Sequence, residues 1–405
     1  MPLPMLPATP NMSLTAPARP MLFSFTDEEL LIRDAARRFA LERLAPNAEA
    51  LDRGAGRAEF MANLADLAQI GFMTMKVAAE FGGSEAGCVA FALAIEEIAY
   101  ACAATATTTS VTNLVGEVIQ SMGTPEQRRA YLPPLADGRF PAGAFCLTEA
   151  QAGSDPASMR TRARQEGEDF YLDGEKIYIT SAEYAGIFIV WAVTDPLRPK
   201  GKGISCFLVE AGTPGLSIGR AEQKMGQTGS ATNSVRFENC RVSRAQILGR
   251  LNDGFRIAVG ELAGGRIGIA ALALGIARAA MDRAKAYTRE RLQFGQPIGD
   301  FQGVQWMIAD RETDLEAARL LILNAAAKRD RGEPFAKEAS MAKLFASEAA
   351  HRATDTALQL HGGAGYLKDY PLERYVRDAR LTRIYEGTSE IQRLIIARET
   401  LRQMD

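Results

Sequence analysis

The sequence predicts a multi-domain α+β protein in which helices come first, strands follow and long helices close the chain. Apolar residues recur three and four positions apart up to about residue 137, and again from residue 254 onward. Between them, about residues 140–250 form short apolar runs separated by Gly/Pro-rich turns, which is typical of strands. A chain of 405 residues, 47% of them apolar, is long enough for two or three domains.

The first helical region opens with a helix start. Thr26 precedes three acidic residues, a favourable arrangement for a helix N-terminus, and Pro46 is expected to end this helix. Leu31, Ala35 and Phe39 share the helical spacing and are predicted to form its apolar face. Further helices are expected in residues 58–72, 88–123 and 125–138.

The middle region is predicted to be a β domain. Residues 169–180, "DFYLDGEKIYIT", have the pattern of a hairpin with Asp173-Gly174 at its turn. Further strands are expected in residues 186–193, 204–211 and 234–242.

The last region is predicted to be a helical bundle. Helices are expected in about residues 254–291, 302–331 and 337–360. The third would be about 36 Å long, which suits a bundle better than a small α/β domain. Its apolar stripe consists of Ala342, Phe345, Ala349, Ala353 and Ala357.

Composition excludes several functions. A net charge of −2 with no strongly basic half argues against a nucleic-acid partner. No apolar run reaches the roughly 18 residues of a membrane span, so no membrane association is expected. Two histidines argue against a His-rich metal site, and we expect no metal. Five scattered cysteines without a C-x-x-C motif are typical of buried thiols in a reducing compartment.

The first 22 residues are expected to form a disordered tail. They are rich in Pro, Thr and Ala, and they lack the charged start and apolar block of a signal peptide. A cytoplasmic location is therefore expected, with the mitochondrial matrix as the alternative.

Three segments stand out as candidate binding sites. "FCLTEAQAGSD", residues 145–155, offers hydroxyl groups and a glycine that permits close backbone approach, although a surface turn capped by Ser154 and Asp155 explains it equally well. "QLHGGAGY", residues 359–366, has more glycines than capping a helix requires. "RERLQFGQPIGDFQ", residues 289–302, has basic residues that would complement either a helix dipole or a phosphate.

A fourth segment, "RIYEGTSEIQR", places Glu386 between an aromatic residue and Gly387. An acid on the protein surface, paired with Arg383 or Arg393, is the simpler interpretation of Glu386 alone. Neither a G-x-G-x-x-G after a strand nor a P-loop motif occurs, so a Rossmann or P-loop nucleotide site is not supported.

Together these segments resemble the acyl-CoA dehydrogenase family, in particular its FAD-dependent short- and branched-chain members. "FCLTEAQAGSD" and the stretch 359–398, "QLHGGAGYLKDYPLERYVRDARLTRIYEGTSEIQRLIIAR", are similar to the two signature regions of that family. "KIYIT", "KMG", "RERLQFGQPI" and "FQ" occur between them in the same order. The resemblance covers the chain from about Phe25 to Leu401.

The resemblance implies a fold, a reaction and partners. The fold would comprise a tail (1–22), an N-terminal all-α domain (23–140), a middle antiparallel β domain (141–252) and a C-terminal four-helix bundle (253–405). The enzyme would be a homotetramer that binds FAD between the β domain and the bundle, partly through a neighbouring subunit. It would oxidise an acyl-CoA thioester and pass electrons to an electron-transfer flavoprotein.

The resemblance also implies roles for individual residues. Glu386 would be the catalytic base that removes the α-proton while the β-hydrogen leaves as hydride to flavin N5. Family members that place the base on a bundle helix have it where this chain has Gly265, so Glu386 is expected to act alone. Ser154, Arg266 and Gly387 would contact the substrate. The residues expected to bind FAD are Phe145, Leu147, Thr148, Gly153, Ser154, Tyr178, Ile179, Thr180, Arg291, Gln293, Phe294, Gln302, Gln359, Leu360, His361, Gly362, Gly363, Thr388 and Glu390.

Three positions depart from the family pattern. Tyr178 replaces the usual Trp of Trp-Ile-Thr, Ala263 replaces an acid three residues before Arg266, and the Arg often found after KMG is missing. An unusual acyl group or carrier, or O₂ as the electron acceptor, is therefore the alternative function. A helical scaffold that has lost catalysis is a third hypothesis, and the intact Glu386 argues against it.

Overall fold

The computed structural model describes residues 24–402, so the expected tail lies outside the described residues. Its N-terminal region is helical, as predicted. The helices are α1 (Asp27–Phe39), α2 (Ala48–Asp52), α3 (Arg57–Gln69), α4 (Gly87–Ala101), α5 (Ala103–Met122) and α6 (Pro125–Ala136).

Helix α1 begins where the sequence predicts and buries a different face. Thr26 caps it, since the Thr26 hydroxyl accepts a hydrogen bond from the Glu29 N–H and the Glu29 side chain returns one to Thr26. The predicted apolar face was wrong at Leu31 and Ala35, which are exposed. Ala36, one position on, is buried instead. The helix turns this neighbouring face to the core, and small alanines permit the close packing.

Two predicted helix boundaries were also wrong. Pro46 does not stop the helical path, because α1 passes through a π-helical turn and a 3₁₀ turn (Ala45–Asn47) that accommodates the proline near its start. The single helix expected over residues 88–123 is two helices. Cys102 has extended backbone angles (φ −150°, ψ 103°) and separates α4 from α5.

The middle region is one sheet with the order β6-β7-β3-β2-β4-β5-β8, and β1 pairs with β4. Most pairs are antiparallel, but β1 and β2 each run parallel to β4, so the sheet is mixed rather than purely antiparallel as predicted. The strands are β1 (Ala142–Cys146), β2 (Arg162–Glu166), β3 (Asp169–Thr180), β4 (Ala185–Val193), β5 (Ile204–Glu210), β6 (Leu216–Ala221), β7 (Thr232–Ser243) and β8 (Ile247–Leu248).

The predicted hairpin turn at Asp173-Gly174 was wrong. Both residues lie inside β3, and the turn that precedes this strand contains Gly167. Gly174 instead marks a register shift between β3 and β7, with φ 147°. A Cβ at Gly174 would lie 2.7 Å from the Cα of Thr161, so this position requires glycine for close backbone approach rather than for a turn.

The C-terminal region is built around three long helices, as predicted. They are α7 (Gly254–Glu290), α8 (Gln302–Asp330) and α9 (Ala336–His361). A short hairpin, β9 (Leu292–Gln293) and β10 (Gln296–Pro297), connects α7 to α8, and α10 (Leu372–Leu381) and α11 (Ser389–Arg402) complete the region. Helix α9 packs against α7, α8, α10 and α11, so its alanine stripe forms the centre of the bundle.

The three regions are packed together through α7. The indole Nε1 of Trp191 on β4 donates to the carbonyl oxygen of Gly254 at 2.7 Å, which ties the sheet to the start of α7. Arg278 of α7 pairs with Glu96 and Glu97 of α4. By length and apolarity alone α7 could cross a membrane, but 82% of its most apolar window is buried inside the protein. It is thus placed as the core helix of a bundle.

Candidate active site

Glu386 lies in the connection between α10 and α11 with its backbone in the left-handed region. Its φ is 55° and that of Gly387 is 90°. A left-handed conformation is uncommon for a residue with a side chain and is often found at functional sites. Gly387 follows it in a conformation that only glycine adopts readily.

The Glu386 carboxyl group rests on the backbone of α7. A Cβ added to Gly265 would lie 2.6 Å from Glu386 Oε2 and 3.0 Å from its Cδ. Any larger residue at position 265 would therefore displace the carboxyl group. Oε2 itself is buried, and within residues 24–402 it has no hydrogen-bond partner. A buried carboxylate oxygen without a partner is costly to the fold and suggests a ligand-binding or catalytic role.

Burial raises the pKa of Glu386 to about 7. Arg266, Lys343 and Lys76 oppose this shift, because their positive charges favour the ionised carboxylate. Burial prevails because Glu386 Oε2 accepts no hydrogen bond from any described residue. The group can therefore gain or lose a proton near neutral pH, as a general base requires.

Arg266 lies on α7 directly after Gly265, and its positive charge acts on the Glu386 carboxyl group. It is 5% exposed, and among the described residues its side chain makes one long hydrogen bond, from Nη1 to the Ser340 hydroxyl at 3.5 Å. Its Nε is buried without a partner. Burial lowers the pKa of Arg266, and the charge of Glu386 opposes that shift.

The backbone around Glu386 is held by two buried side chains. Lys343 of α9 donates from Nζ to the carbonyl oxygen of Gly387 at 2.7 Å. Gln392 of α11 donates from Nε2 to the carbonyls of both Glu386 (3.1 Å) and Gly387 (2.9 Å). Sequence reasoning missed Lys343. Its signal was the spacing, since Lys343 lies four and three positions from the buried Ala339 and Ala346 and thus on an apolar face.

The predicted flavin-contact segments of the β region are brought together. The Ile177 N–H donates to the Thr148 carbonyl at 3.0 Å, which places the loop after β1 beside the middle of β3. Tyr178 has φ 59° and is 66% exposed, so its ring is presented at the protein surface. Gly153 and Ser154 are also exposed, whereas the side chains of Leu147 and Ile179 are buried.

A buried ion pair supports this loop. Lys176 of β3, fully buried, donates to Glu149 Oε1 at 2.8 Å and to the Leu147 carbonyl at 3.2 Å. Burial would raise the pKa of Glu149, but the Lys176 charge and hydrogen bonds prevail and lower that pKa to about 2. Sequence reasoning did not single out either residue.

A second set of predicted cofactor residues lies at the other end of the bundle. The His361 ring stacks on Tyr287 with centroids 4.3 Å apart, which joins the C-terminal ends of α9 and α7. Gln359 lies sixteen residues beyond Lys343, so this end is ~24 Å along α9 from the lysine that contacts Gly387. Leu360 and His361 are buried, and the exposed members of the set are Arg291, Gln293, Phe294, Gln302, Gln359, Gly362 and Gly363.

The last two predicted cofactor residues lie at the start of α11. The Thr388 hydroxyl accepts from the Ile391 N–H at 3.4 Å. Glu390 is exposed, and hydrogen bonds from its own backbone N–H and from Thr388 lower its pKa. Both residues follow Glu386 closely, so they belong to the Glu386 end of the bundle.

A basic cavity of about 360 Å³ lies beside the loop that carries Ser154. Its lining includes Arg160, Arg162, Arg198 and Lys200. Lys200 also pairs with Asp155 at 2.5 Å, which connects the cavity to the loop. Arg198 pairs with Asp195, which also lines the cavity, so Arg160 and Arg162 are the lining cations without a carboxylate partner among the described residues, and they favour an anionic group such as a phosphate. Sequence reasoning did not find this cavity, because Arg160 and Lys200 are brought together only by the folded sheet. Among the described residues no group of three His, Cys, Asp or Glu side chains forms a metal site.

Three family models match almost the whole described chain. They are the acyl-CoA dehydrogenase N-terminal domain (residues 26–139), middle domain (144–240) and C-terminal domain (252–401).

Curated relatives and solved structures agree with these models. The acryloyl-CoA reductase (NADH) of Anaerotignum propionicum is 46% identical over 95% of this chain and 97% of its own length. The mitochondrial short/branched chain specific acyl-CoA dehydrogenase of Rattus norvegicus is 43% identical over 93% of this chain and 86% of its own. Butyryl-CoA dehydrogenase from Megasphaera elsdenii superposes with a TM-score of 0.90 at 38% identity, covering 94% of this chain and all of that one. An FAD complex of PigA superposes with a TM-score of 0.88 at 30% identity, covering 94% of this chain and 99% of that one.

Proposed function

This chain belongs to the acyl-CoA dehydrogenase family, and we propose that it introduces an α,β double bond into a short or branched acyl-CoA thioester with Glu386 as the base. The observation that carries this proposal is the Glu386 carboxyl group, whose buried Oε2 has no protein partner within the described chain. Its pKa of about 7 lets it act as a base at neutral pH.

The reaction divides two hydrogens of the substrate between two acceptors. The α-carbon loses a proton to the Glu386 carboxylate, and the β-carbon loses a hydride, so that the electron pair of the α C–H bond forms the double bond. Within residues 24–402 the N–H of Glu386 donates to no protein acceptor, and it is thus available to the thioester oxygen. Such a hydrogen bond would stabilise the negative charge that develops on that oxygen.

The residues present fit FAD. At Gly362 and Gly363, both exposed, an added Cβ would meet no atom of this chain within 4 Å, so the backbone is open to a ligand or another chain. Tyr178 and Phe294 are 66% and 94% exposed, and both have positive φ, so two aromatic rings are held out toward the surface by strained backbone. A flat aromatic ring system would cover such side chains.

FAD, when bound, supplies the acceptor for the hydride. Thr148 and the Tyr178–Thr180 segment would hold its ring system. Thr388 and Glu390 would complete the FAD site at the Glu386 end of the bundle. Arg291, Gln302 and the Gln359–Gly363 turn would hold its phosphate and adenosine part. Because these two sets lie ~24 Å apart along α9, we propose that the second set serves the FAD of a neighbouring copy in a homotetramer.

The basic cavity supports CoA as the carrier, because Arg160 and Arg162 in its lining would bind a phosphate near Ser154. We further propose that an electron-transfer flavoprotein reoxidises the enzyme and that the protein acts in the cytoplasm. We also propose that the chain forms three domains, with boundaries at about residues 140 and 252.

An anaerobic titration tests the reaction. The purified yellow protein is mixed with butyryl-, isobutyryl-, 2-methylbutyryl-, octanoyl- and palmitoyl-CoA, and the flavin absorbance is followed. We expect bleaching by one or two of the shorter thioesters and a fall in its rate of at least about 10³-fold in Glu386→Gln. A yellow protein that no acyl-CoA bleaches would contradict the proposed substrate. Bleaching that persists in Glu386→Gln would contradict the assigned base.

A further inference from the structure

The side chain that contacts the backbone directly after Glu386 is a lysine, Lys343, in an environment that disfavours a charged group. Lys343 has no exposed surface and lies on α9 among buried alanines. Among the described residues, no carboxylate forms an ion pair with it. A fully buried lysine without an ionic partner is rare, because removing an ammonium group from water is strongly unfavourable.

The hydrogen bond that Lys343 makes does not by itself require a charge. Its Nζ donates to the Gly387 carbonyl, 2.7 Å away, and Gln392 donates to the same oxygen. The amide Nε2 of Gln392 shows that a neutral donor serves this carbonyl adequately. A second neutral donor would hold the backbone at lower desolvation cost, so the charge of Lys343 calls for a separate explanation.

The position of the Lys343 charge explains why a charged donor is present. Lys343 contacts the residue directly after Glu386, and the two groups influence each other: Glu386 is the largest charge favouring protonated Lys343, although burial lowers the pKa of Lys343 to about 8. Arg266 from α7 opposes protonation, whereas Glu348 and Glu390 favour it. The cations facing Glu386 are Arg266, Lys343 and Lys76, the last already paired with Glu117 of α5.

We infer that Lys343 is a positioning residue for the base, which fixes the left-handed Glu386-Gly387 backbone and supplies a positive charge that keeps the Glu386 carboxylate ionised near neutral pH. The inference rests on the proposed function of Glu386. Because Lys343 binds the backbone rather than the carboxylate, its charge favours ionisation without occupying the oxygens that receive the proton. A direct salt bridge would make the carboxylate a weaker base.

The test isolates proton abstraction from hydride transfer. 3,3-Dimethylbutyryl-CoA has α-hydrogens and no β-hydrogen, so an active base exchanges its α-protons with D₂O while no double bond can form. Exchange is followed by mass spectrometry on the FAD-loaded enzyme between pH 5.5 and 9. Butyryl-CoA is used in parallel to measure flavin reduction and the KM.

Three variants separate the two parts of the role. Lys343→Gln keeps a donor and removes the charge, Lys343→Met removes both, and Lys343→Arg keeps both. In Lys343→Gln we expect the pH at half-maximal exchange to rise by about one unit and exchange at pH 6.5 to fall about tenfold, with KM changed less than threefold. Lys343→Met should lose a further factor of about ten, and Lys343→Arg should restore most of the wild-type pH profile.

Lys328→Met on α8 is the matched control. It removes a partly buried cation that pairs with Glu338 at 2.7 Å and does not contact the base, so its pH profile should equal that of wild type. An unshifted pH profile in Lys343→Gln overturns the inference, and Lys343→Gln decides the matter even if Lys343→Met does not fold. Glu386→Gln keeps the two proposals apart: if it still exchanges α-protons, the assigned base is wrong, whatever the Lys343 variants do.

Discussion

Two buried lysine–glutamate neighbourhoods in this molecule have opposite electrostatic outcomes. In the β region, Lys176 Nζ lies 2.8 Å from Glu149 Oε1, and the pKa of Glu149 is lowered to about 2. In the bundle, Lys343 binds the Gly387 carbonyl instead of Glu386, and burial raises the pKa of Glu386 to about 7. Both lysines are fully buried.

The difference comes from the partners of the carboxylate oxygens. Glu149 also accepts hydrogen bonds from the backbone N–H groups of Arg160 and Thr161, at 2.6 and 3.0 Å. The Glu386 carboxylate has nearby positive charges, yet its Oε2 accepts no hydrogen bond within the described chain. Hydrogen bonds to the charged form outweigh burial at the first site, and their absence leaves burial dominant at the second. Glu149 is therefore a structural ion, and Glu386 is suited to exchange a proton.

Breaking the structural pair should give the largest effect on stability. Lys176→Met would leave the Glu149 carboxylate buried without its cation, and we expect a loss of about 3–5 kcal/mol in the free energy of unfolding. Urea denaturation followed by circular dichroism measures it. The matched control is Lys200→Met, which breaks an exposed pair with Asp155 and should leave the denaturation midpoint nearly unchanged. Equal losses in the two variants would contradict the structural role of Lys176.

Crowding the catalytic carboxylate should reduce activity and leave the fold intact. In Gly265→Ala the new methyl group would lie 2.6 Å from Glu386 Oε2, and the end of the flexible side chain must move. We expect a fall of about 10–100-fold in the rate of flavin reduction by butyryl-CoA. Gly260→Ala, on the same helix, meets no atom within 4 Å and should retain the wild-type rate. Full activity in Gly265→Ala would show that the carboxylate acts from another position.

The pH dependence of flavin reduction should follow the Glu386 site. Its carboxylate must be ionised to accept the α-proton, so the rate should rise with pH through an apparent pKa of about 7 and decline about tenfold per unit below it. Stopped-flow absorbance with butyryl-CoA between pH 5.5 and 9 measures this profile. A rate that is constant down to pH 5.5 would mean that the base titrates well below 7.

The two acids should make opposite contributions to stability as pH changes. Because folding raises the pKa of Glu386 from 4.5 to about 7, the folded state favours the protonated carboxyl group. The contribution of Glu386 to folding stability is therefore complete below pH 4.5 and is lost as pH rises through about 7. Glu386→Gln should therefore stabilise the protein relative to wild type at pH 8, by about 1–3 kcal/mol, and much less at pH 5.

Folding lowers the pKa of Glu149 from 4.5 to about 2, so the folded state favours the ionised carboxylate. The contribution of Glu149 to folding stability is therefore complete above pH 4.5 and is lost as pH falls toward 2. Glu149→Gln should be destabilising at pH 7 and less so at pH 3. Thermal melts of both variants at several pH values test the pair of predictions. Parallel pH dependence in the two variants would contradict the contrast between the sites.

Local sequence determined the order and type of most elements. The three long bundle helices appear close to their expected positions, since their apolar spacing and flanking Gly and Pro residues are strong signals in themselves. Residue 386 and the glycines at 362 and 363 could be singled out because their motifs are unusual for a helix end. Ambiguous local patterns misled in four places: the exposed face of α1, the helical path past Pro46, the division of α4 from α5, and the Asp173-Gly174 step inside β3. At Gly174 the close approach of the Thr161 backbone overrode the local preference for a turn.

By itself, then, the sequence determined that this is a helix–strand–helix chain with one candidate base, because periodicity and motif are properties of neighbouring residues. Only the tertiary structure decided the pKa of that base, and with it the pH range in which it exchanges a proton. Glu386 contacts Gly265, 121 positions away, and Lys343 binds the Gly387 carbonyl, 44 positions away, rather than a carboxylate. These contacts and the burial of Glu386 arise only when distant parts of the chain pack together. A pKa depends on the solvent and charges that surround a group in space, so no local pattern could state that Glu149 is locked in its ionised form while Glu386 is free to take a proton.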